Sequence, residues 1–415
     1  MFETLFRYPA VVARHQGGRF AAARELFLNQ CAGQGMAHAT LQRYAQELLV
    51  VAAHIDITVG EAIESSVIDA AANHWAREQQ QRHRAGSLRW SRELFVQTAT
   101  DWLRFLGRLE VPKPKVVPFA DRVSDFAAYR RDERGLSPAT VRDQNWHVEK
   151  FFCWLHERNR SFDNVSLEDV DGFLAAKGKQ GWGRVSVAAS AKALRAFFKH
   201  AAMRGWCTAR IAAGVDSPRV FQHEGLPIGP CWPDVQRLIA TTVGDSARDI
   251  RDRAILILLA TYGLRSSEVS GLHLEDVNWE SEKLSIARPK QRRAQEYPLV
   301  SEAGEAILNY LRKARPHCPQ REIFLTSNAP FHRLSQGALY HLVSTRLNAL
   351  GIHVPRRGPH SLRHACGGHL VAEGFSLKEI GDHLGHRSAY ATRIYAKVDL
   401  AGLREVASFD LGGLR

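Results

Sequence analysis

The chain has 415 residues, 45% apolar and 24% charged, which is enough for two to four ordinary globular domains. Its 56 Lys and Arg outnumber 43 Asp and Glu, and the net charge of +13 favours a polyanionic partner, usually DNA or RNA. No apolar run reaches the roughly eighteen residues of a spanning helix, and the opening MFETLFRYPAVVARHQGG lacks the basic-then-apolar order of a secretory signal. A cytoplasmic protein with no membrane role is therefore expected. Six cysteines stand singly at 31, 153, 207, 231, 318 and 366 with no CxxC pair, a pattern of reduced thiols rather than of a disulfide framework or zinc ribbon.

Two proline-bearing stretches punctuate the chain. LEVPKPKVVPF (109–119) breaks any helix and reads as a semi-rigid linker, and GVDSPRVFQHEGLPIGPCWPD (214–234) makes a second boundary. Three blocks result, 1–111, 118–214 and 222–415. The first two read as helical, with apolar residues at three-and-four spacing in LQRYAQELLVVAAHI (41–55) and VRDQNWHVEKFFCWLHE (141–157). QGMAHATLQRYAQELL and RGLSPATVRDQNWHVE align Gly35 with Gly135 and Thr40 with Thr140. Each reads as a glycine turn, a small polar cap and an amphipathic helix, either a degenerate duplication or two uses of common grammar.

The third block begins with a strongly apolar helix in ARDIRDRAILILLATYGLR, expected to be buried and to end at Gly263, followed by a short helix in SSEVSGLHL. LSIARPKQRRAQEYPLV (284–300) pairs two β-prone segments across a basic turn and reads as a hairpin. Helices return from 301 onward. The expected fold class is mainly α with a small antiparallel β-sheet in the third block.

Within this block GPHSLRHACGGHLVAEG (358–374) sets His360 and Arg363 three residues apart, on one helix face, with no acidic neighbour. Arg265 follows the end of the apolar helix, with Glu268 three residues on to orient it. Lys290 lies on the hairpin turn, His386 closes a Leu-Gly turn, and Tyr395 follows nine residues later. Arg265, Lys290, His360, Arg363, His386 and Tyr395 together suit attack on a phosphodiester. Two guanidinium forks can clamp nonbridging oxygens, lysine can protonate a leaving oxygen, histidine can move a proton, and tyrosine can form a covalent phosphoester. No metal or other cofactor is required. The five histidines between 360 and 386 invite a zinc reading, but HSLRH lacks the HExxH glutamate and sets an arginine beside the histidine.

These segments resemble the catalytic domain of the tyrosine recombinase, or phage-integrase, family. TYGLRSSEV resembles its first arginine box, HSLRH its His-x-x-Arg box with the following histidine, and LGHRSAYATRIYAKV its Leu-Gly-His with the nucleophilic tyrosine nine residues on. Lys290, eight residues before Pro298-Leu299, resembles the family's hairpin lysine. GLSPATVRDQNWHVEKFFCWLHE resembles the opening of the family's helical core-binding (SAM-like) domain, which with the catalytic domain forms a C-shaped clamp around duplex DNA.

The resemblance implies a site-specific recombinase or integrase that cleaves and rejoins DNA through a 3′-phosphotyrosyl intermediate, without ATP, for integration, excision or transposition of a mobile element. An inactive DNA clamp and a type IB topoisomerase are the alternatives. Implied partners are double-stranded recombination sites, three further copies of the chain in a tetramer on two duplexes, and accessory recombinases or DNA-bending proteins. Residues 1–111 exceed the family's minimal architecture and suit an arm-binding or oligomerisation domain. The chain departs from the family's pattern in two places. Gly367 and Gly368 interrupt the box helix, where close packing is expected, and Lys290 lacks flanking glycines. Tyr390, four residues past His386, competes with Tyr395 as nucleophile.

Overall fold

The computed structural model describes residues 1–58, 62–81, 88–110, 118–220, 228–288, 293–386, 388–397 and 404. By compactness, Met1–Glu110 and Gly225–Arg415 fall in one unit and Val111–Glu224 in the other. Both divisions lie in the proline-bearing stretches. None of the helices among the described residues is long and apolar enough to cross a membrane.

Residues up to 110 form helices α1 (Phe2–Leu5), α2 (Pro9–Gln16), α3 (Ala21–Gly33), α4 (His38–His54), α5 (Ser65–Gln81) and α6 (Leu88–Phe105). Phe27, Leu48, Phe95 and Trp102 sit in their apolar core. The other unit holds α7 (Ala120–Ala128), α8 (Pro138–His156), α9 (Leu167–Lys179), α10 (Arg184–Met203) and α11 (Ala209–Gly214). Its core is rich in phenylalanine: Phe126, Phe151, Phe152, Phe173, Phe197 and Phe198 are all fully buried. Phe151 meets Phe173 edge-on at 5.4 Å, the arrangement an aromatic quadrupole prefers.

The two turn-and-helix contexts match only in part. Gly35 and Gly135 both adopt the left-handed backbone that glycine tolerates, at φ +85 and +61. Helix α8 is capped by Ser137, whose hydroxyl accepts from the Thr140 amide at 3.3 Å. Helix α4 begins at Ala37 with no side-chain cap, because neither Ala37 nor His38 offers a hydroxyl at that point. The expected small polar cap is thus present at α8, as Ser137, and absent at α4.

From 228 onward come α12 (Trp232–Ala240), α13 (Ala247–Thr261), α14 (Ser266–Ser270), strands β1 (Val277–Asn278), β2 (Lys283–Arg288) and β3 (Arg293–Pro298), then α15 (Ser301–Lys313), α16 (Gln336–Ala349), α17 (Pro359–Ala372), α18 (Leu377–Leu384) and α19 (Ala389–Ala396). Helix α13 is the expected core helix, buried continuously from Ala254 to Ala260. Arg346 on α16 ties down its first turns through Asp249 at 2.9 Å and Asp252 at 2.8 Å. The hairpin pairs Leu284 with Tyr297 and Ile286 with Gln295, and the short β1 adds a third antiparallel strand. Only two residues long, β1 carries no periodicity a sequence reading could detect.

Candidate active site

Helix α18 begins with a full capping box, in which Ser376 and Glu379 satisfy each other's backbone amides. Its other end leaves carbonyls that need donors. Gly385, at φ +60, turns the chain there and returns its own amide to the Asp382 carbonyl at 3.0 Å. The His386 amide donates to Gly381 O at 2.8 Å, and further donors are side chains brought from far away in sequence. Arg363 on α17 donates to Leu384 O at 2.7 Å and to Gly263 O at 2.6 Å. Arg265, at the start of α14, donates to Gly385 O at 3.2 Å. Two arginines separated by nearly a hundred residues thus converge on consecutive carbonyls, immediately before His386.

Glu268 fixes Arg265 as expected. One carboxylate oxygen accepts from the Arg265 amide at 2.8 Å and the other from its guanidinium at 2.6 Å. Arg363 has no acidic partner among its hydrogen bonds, and burial and Arg265 lower its pKa to about 10, so it remains cationic at neutral pH. The missing counter-charge expected at His360 and Arg363 is therefore replaced, for Arg363, by two backbone carbonyls. His360 is exposed on the same helix, with its ring 4.4 Å from that of His364.

Tyr395 on α19 is 1% exposed and belongs to a small apolar cluster with Cys366, Ile380 and Leu384. Its hydroxyl lies 3.3 Å from His364 Nδ1, and its ring stacks on that of His386 at 6.3 Å. Burial raises the hydroxyl to about 12, against the pull of Arg363. Burial, then His360, pushes His364 down to about 4, and burial with Arg363, Arg265 and Arg288 does the same to His386. At neutral pH both imidazoles are uncharged, and the Tyr395 hydroxyl and His364 Nδ1 lie within hydrogen-bond reach of each other. His386 is held by Thr392 Oγ1 at 2.8 Å from its Nδ1. Tyr390 stands 46% exposed, outside this cluster.

The structure thus gathers Arg265, Arg363, His386 and Tyr395 at one end of α18, with His360 on the rim. Lys290 lies outside the described residues. Two residues absent from the sequence-derived set belong with them. His364 lies within hydrogen-bond reach of the Tyr395 hydroxyl, and Arg288 is buried behind the site, donating to Leu384 O at 2.7 Å. A signal for Arg288 was present: it shares the inward face of β2 with Leu284 and Ile286, since strand side chains alternate.

Residues 233–401 match the phage integrase family, and residues 123–205 match the phage integrase N-terminal SAM-like domain. Over 293 residues the chain is 30% identical to tyrosine recombinase XerD of Bifidobacterium longum, covering 68% of this chain and 93% of that one. This chain belongs to the phage integrase family of tyrosine recombinases. A second relative, tyrosine recombinase XerC of Thermodesulfovibrio yellowstonii, is 29% identical over 291 residues, 68% of this chain and 94% of its own. Among solved structures, XerH bound to a palindromic difH substrate matches with a TM-score of 0.55 at 16% identity, over 83% of this chain and 96% of that one. A lambda integrase dimer on a core site matches with a TM-score of 0.52 at 14% identity, over 67% and 94%. The fold is that of the tyrosine recombinases, and membership in the family makes the chain a DNA strand-exchange enzyme.

Proposed function

We propose that this recombinase cuts and rejoins duplex DNA at specific sites with Tyr395 as nucleophile. The observation that carries this reading is the convergence of Arg265 and Arg363 on the turn that leads to His386 and Tyr395. Arg265 and Arg363 exchange carbonyl partners for the nonbridging oxygens of the scissile phosphate, where their charge offsets the charge that develops at phosphorus. His364 takes the proton of the Tyr395 hydroxyl as the Tyr395 oxygen bonds to phosphorus. The bond from phosphorus to the 5′ oxygen breaks, and Lys290 supplies the proton that leaves on the 5′ hydroxyl. A 5′ hydroxyl from a partner strand then reverses the step, so the bond energy is conserved and no ATP is consumed. His360 and His386 complete the donors around the phosphate.

The segment 118–214 serves as the core-binding domain and 222–415 as the catalytic domain, and each contacts the duplex. Four copies act on two duplexes, with the segment after Tyr395, VDLAGLREVASFDLGG, docking on a neighbouring copy. Residues 1–111 serve arm binding or oligomerisation. XerC and XerD relatives and a Tn1549 transposon integrase solved with transposon right-end DNA support recombination sites as the substrate. The test is chemical. Protein denatured on DNA is digested with protease and nuclease, and mass spectrometry locates the attached nucleotide. A 3′-linked nucleotide on Tyr395 is expected, and one on Tyr390 or on a serine would refute the assignment.

A further inference from the structure

Arg288 is 2% exposed, yet its guanidinium performs none of the chemistry assigned above. It reaches from β2 to the end of α18, donating through one terminal nitrogen to Leu384 O at 2.7 Å, the same carbonyl that receives Arg363. Its other terminal nitrogen donates to the Tyr297 hydroxyl at 2.5 Å, and that hydroxyl donates onward to the His383 carbonyl. Gln295, also on β3, donates to the Asp382 carbonyl at 2.7 Å. The Arg288 Nε lies 3.9 Å from Glu268, the carboxylate that orients Arg265. A side chain at Gly385 would collide with the Arg288 guanidinium, so the glycine of the turn and the arginine of the strand interlock.

Three successive carbonyls of one helix end are thus capped by three side chains from one hairpin. We propose that Arg288, with Tyr297 and Gln295, is a positioning group that locks the β2–β3 hairpin to the 382–386 turn. Through that turn it sets His386 and holds Tyr395 in its buried place. The functional meaning rests on Tyr395 being the nucleophile, whereas the geometry does not.

Acetylation of tyrosines by N-acetylimidazole, read by peptide mass spectrometry on the full chain without DNA, tests the lock. In the wild type Tyr390 reacts and Tyr395 is protected. Arg288→Met raises Tyr395 acetylation at least about tenfold, the scale of losing charged hydrogen bonds, while Tyr262 and Tyr310 stay protected. Arg288→Lys restores most of the protection, because an ammonium can still reach one carbonyl. Tyr297→Phe exposes Tyr395 to a smaller degree and serves if Arg288→Met fails to fold. Tyr395 remaining protected in both Arg288→Met and Tyr297→Phe would overturn the proposal. So would Tyr262 and Tyr310 becoming reactive together with Tyr395 in both, since Arg288 would then support the fold in general. A DNA adduct that persists in Tyr395→Phe would defeat the nucleophile assignment alone.

Discussion

The ring of Tyr395 lies against the bare backbone of Gly367 on α17, so close that a Cβ on that glycine would stand 2.5 Å from two ring carbons and 2.9 Å from the hydroxyl. The first of the two box-helix glycines is therefore the floor beneath the tyrosine. Its neighbour Gly368 has open space where a Cβ would go. Gly367→Ala should cost about 1–3 kcal/mol from overpacking and displace Tyr395, slowing adduct formation. Gly368→Ala should be tolerated and gain about 1 kcal/mol of helix propensity. Thermal midpoints and adduct rates of the two variants, measured side by side, check the contrast. Equal behaviour would mean that the ring does not rest on Gly367.

Arg265 is held by Glu268 before any DNA arrives, so its fork is pre-organised for a phosphate. Arg265→Ala is expected to slow cleavage by about 10²–10³, the loss typical of one transition-state donor, while DNA affinity changes far less. Arg265→Lys should recover little, because an ammonium cannot reproduce the planar fork. Single-turnover cleavage alongside a DNA-binding titration separates the two effects. A loss confined to binding would contradict the assigned role.

His364 and His386 fold with pKa values near 4, below their ordinary 6.5. The unfolded chain therefore binds more protons than the native state between these values. The stability contributed by the neutral imidazoles is complete above about pH 6.5 and is lost as pH falls toward 4. Glu47 acts in the opposite sense. Burial raises it to about 7, so its contribution is present below 4.5 and fades as pH rises through 7. Comparing wild type with His364→Asn cancels Glu47. Urea midpoints should show the wild type losing more stability than the variant between pH 6.5 and 4, whereas parallel curves would contradict the buried neutral His364.

A chain ending at residue 398 keeps Tyr395 and loses the apolar tail. Such a truncation is expected to bind a single site and still form the tyrosyl adduct, but to fail to assemble on two duplexes. Sedimentation of the protein–DNA complex distinguishes the outcomes. Intact assembly after truncation would remove the tail from the interface.

Much of this architecture is legible in local pattern. The apolar run 254–260, the hairpin around a basic turn and the His360–Arg363 spacing each reflect periodicity or turn chemistry acting over a few residues. What escaped depends on distant contacts. Within the run RPKQRR, Arg288 looks like one of several solvated cations; alternation with Leu284 and Ile286 marks its inward face, but its partners come from the packing of β2 against the end of α18. In sequence His364 merely follows the box, and it gains a partner only because α19 sets the Tyr395 hydroxyl against its Nδ1. The cap of α4 is missing for a local reason, since a helix can begin without a hydroxyl where its first residues, 37–39, are exposed.

The most direct test of the account is covalent capture in cells that carry the native locus. DNA that remains attached to the protein through denaturation is isolated and sequenced for the wild type and for Tyr395→Phe. Adducts at a discrete site in the wild type, absent from the variant, are the expected result and would identify nucleophile and target together. Adducts that persist at the same site in Tyr395→Phe would contradict the central claim.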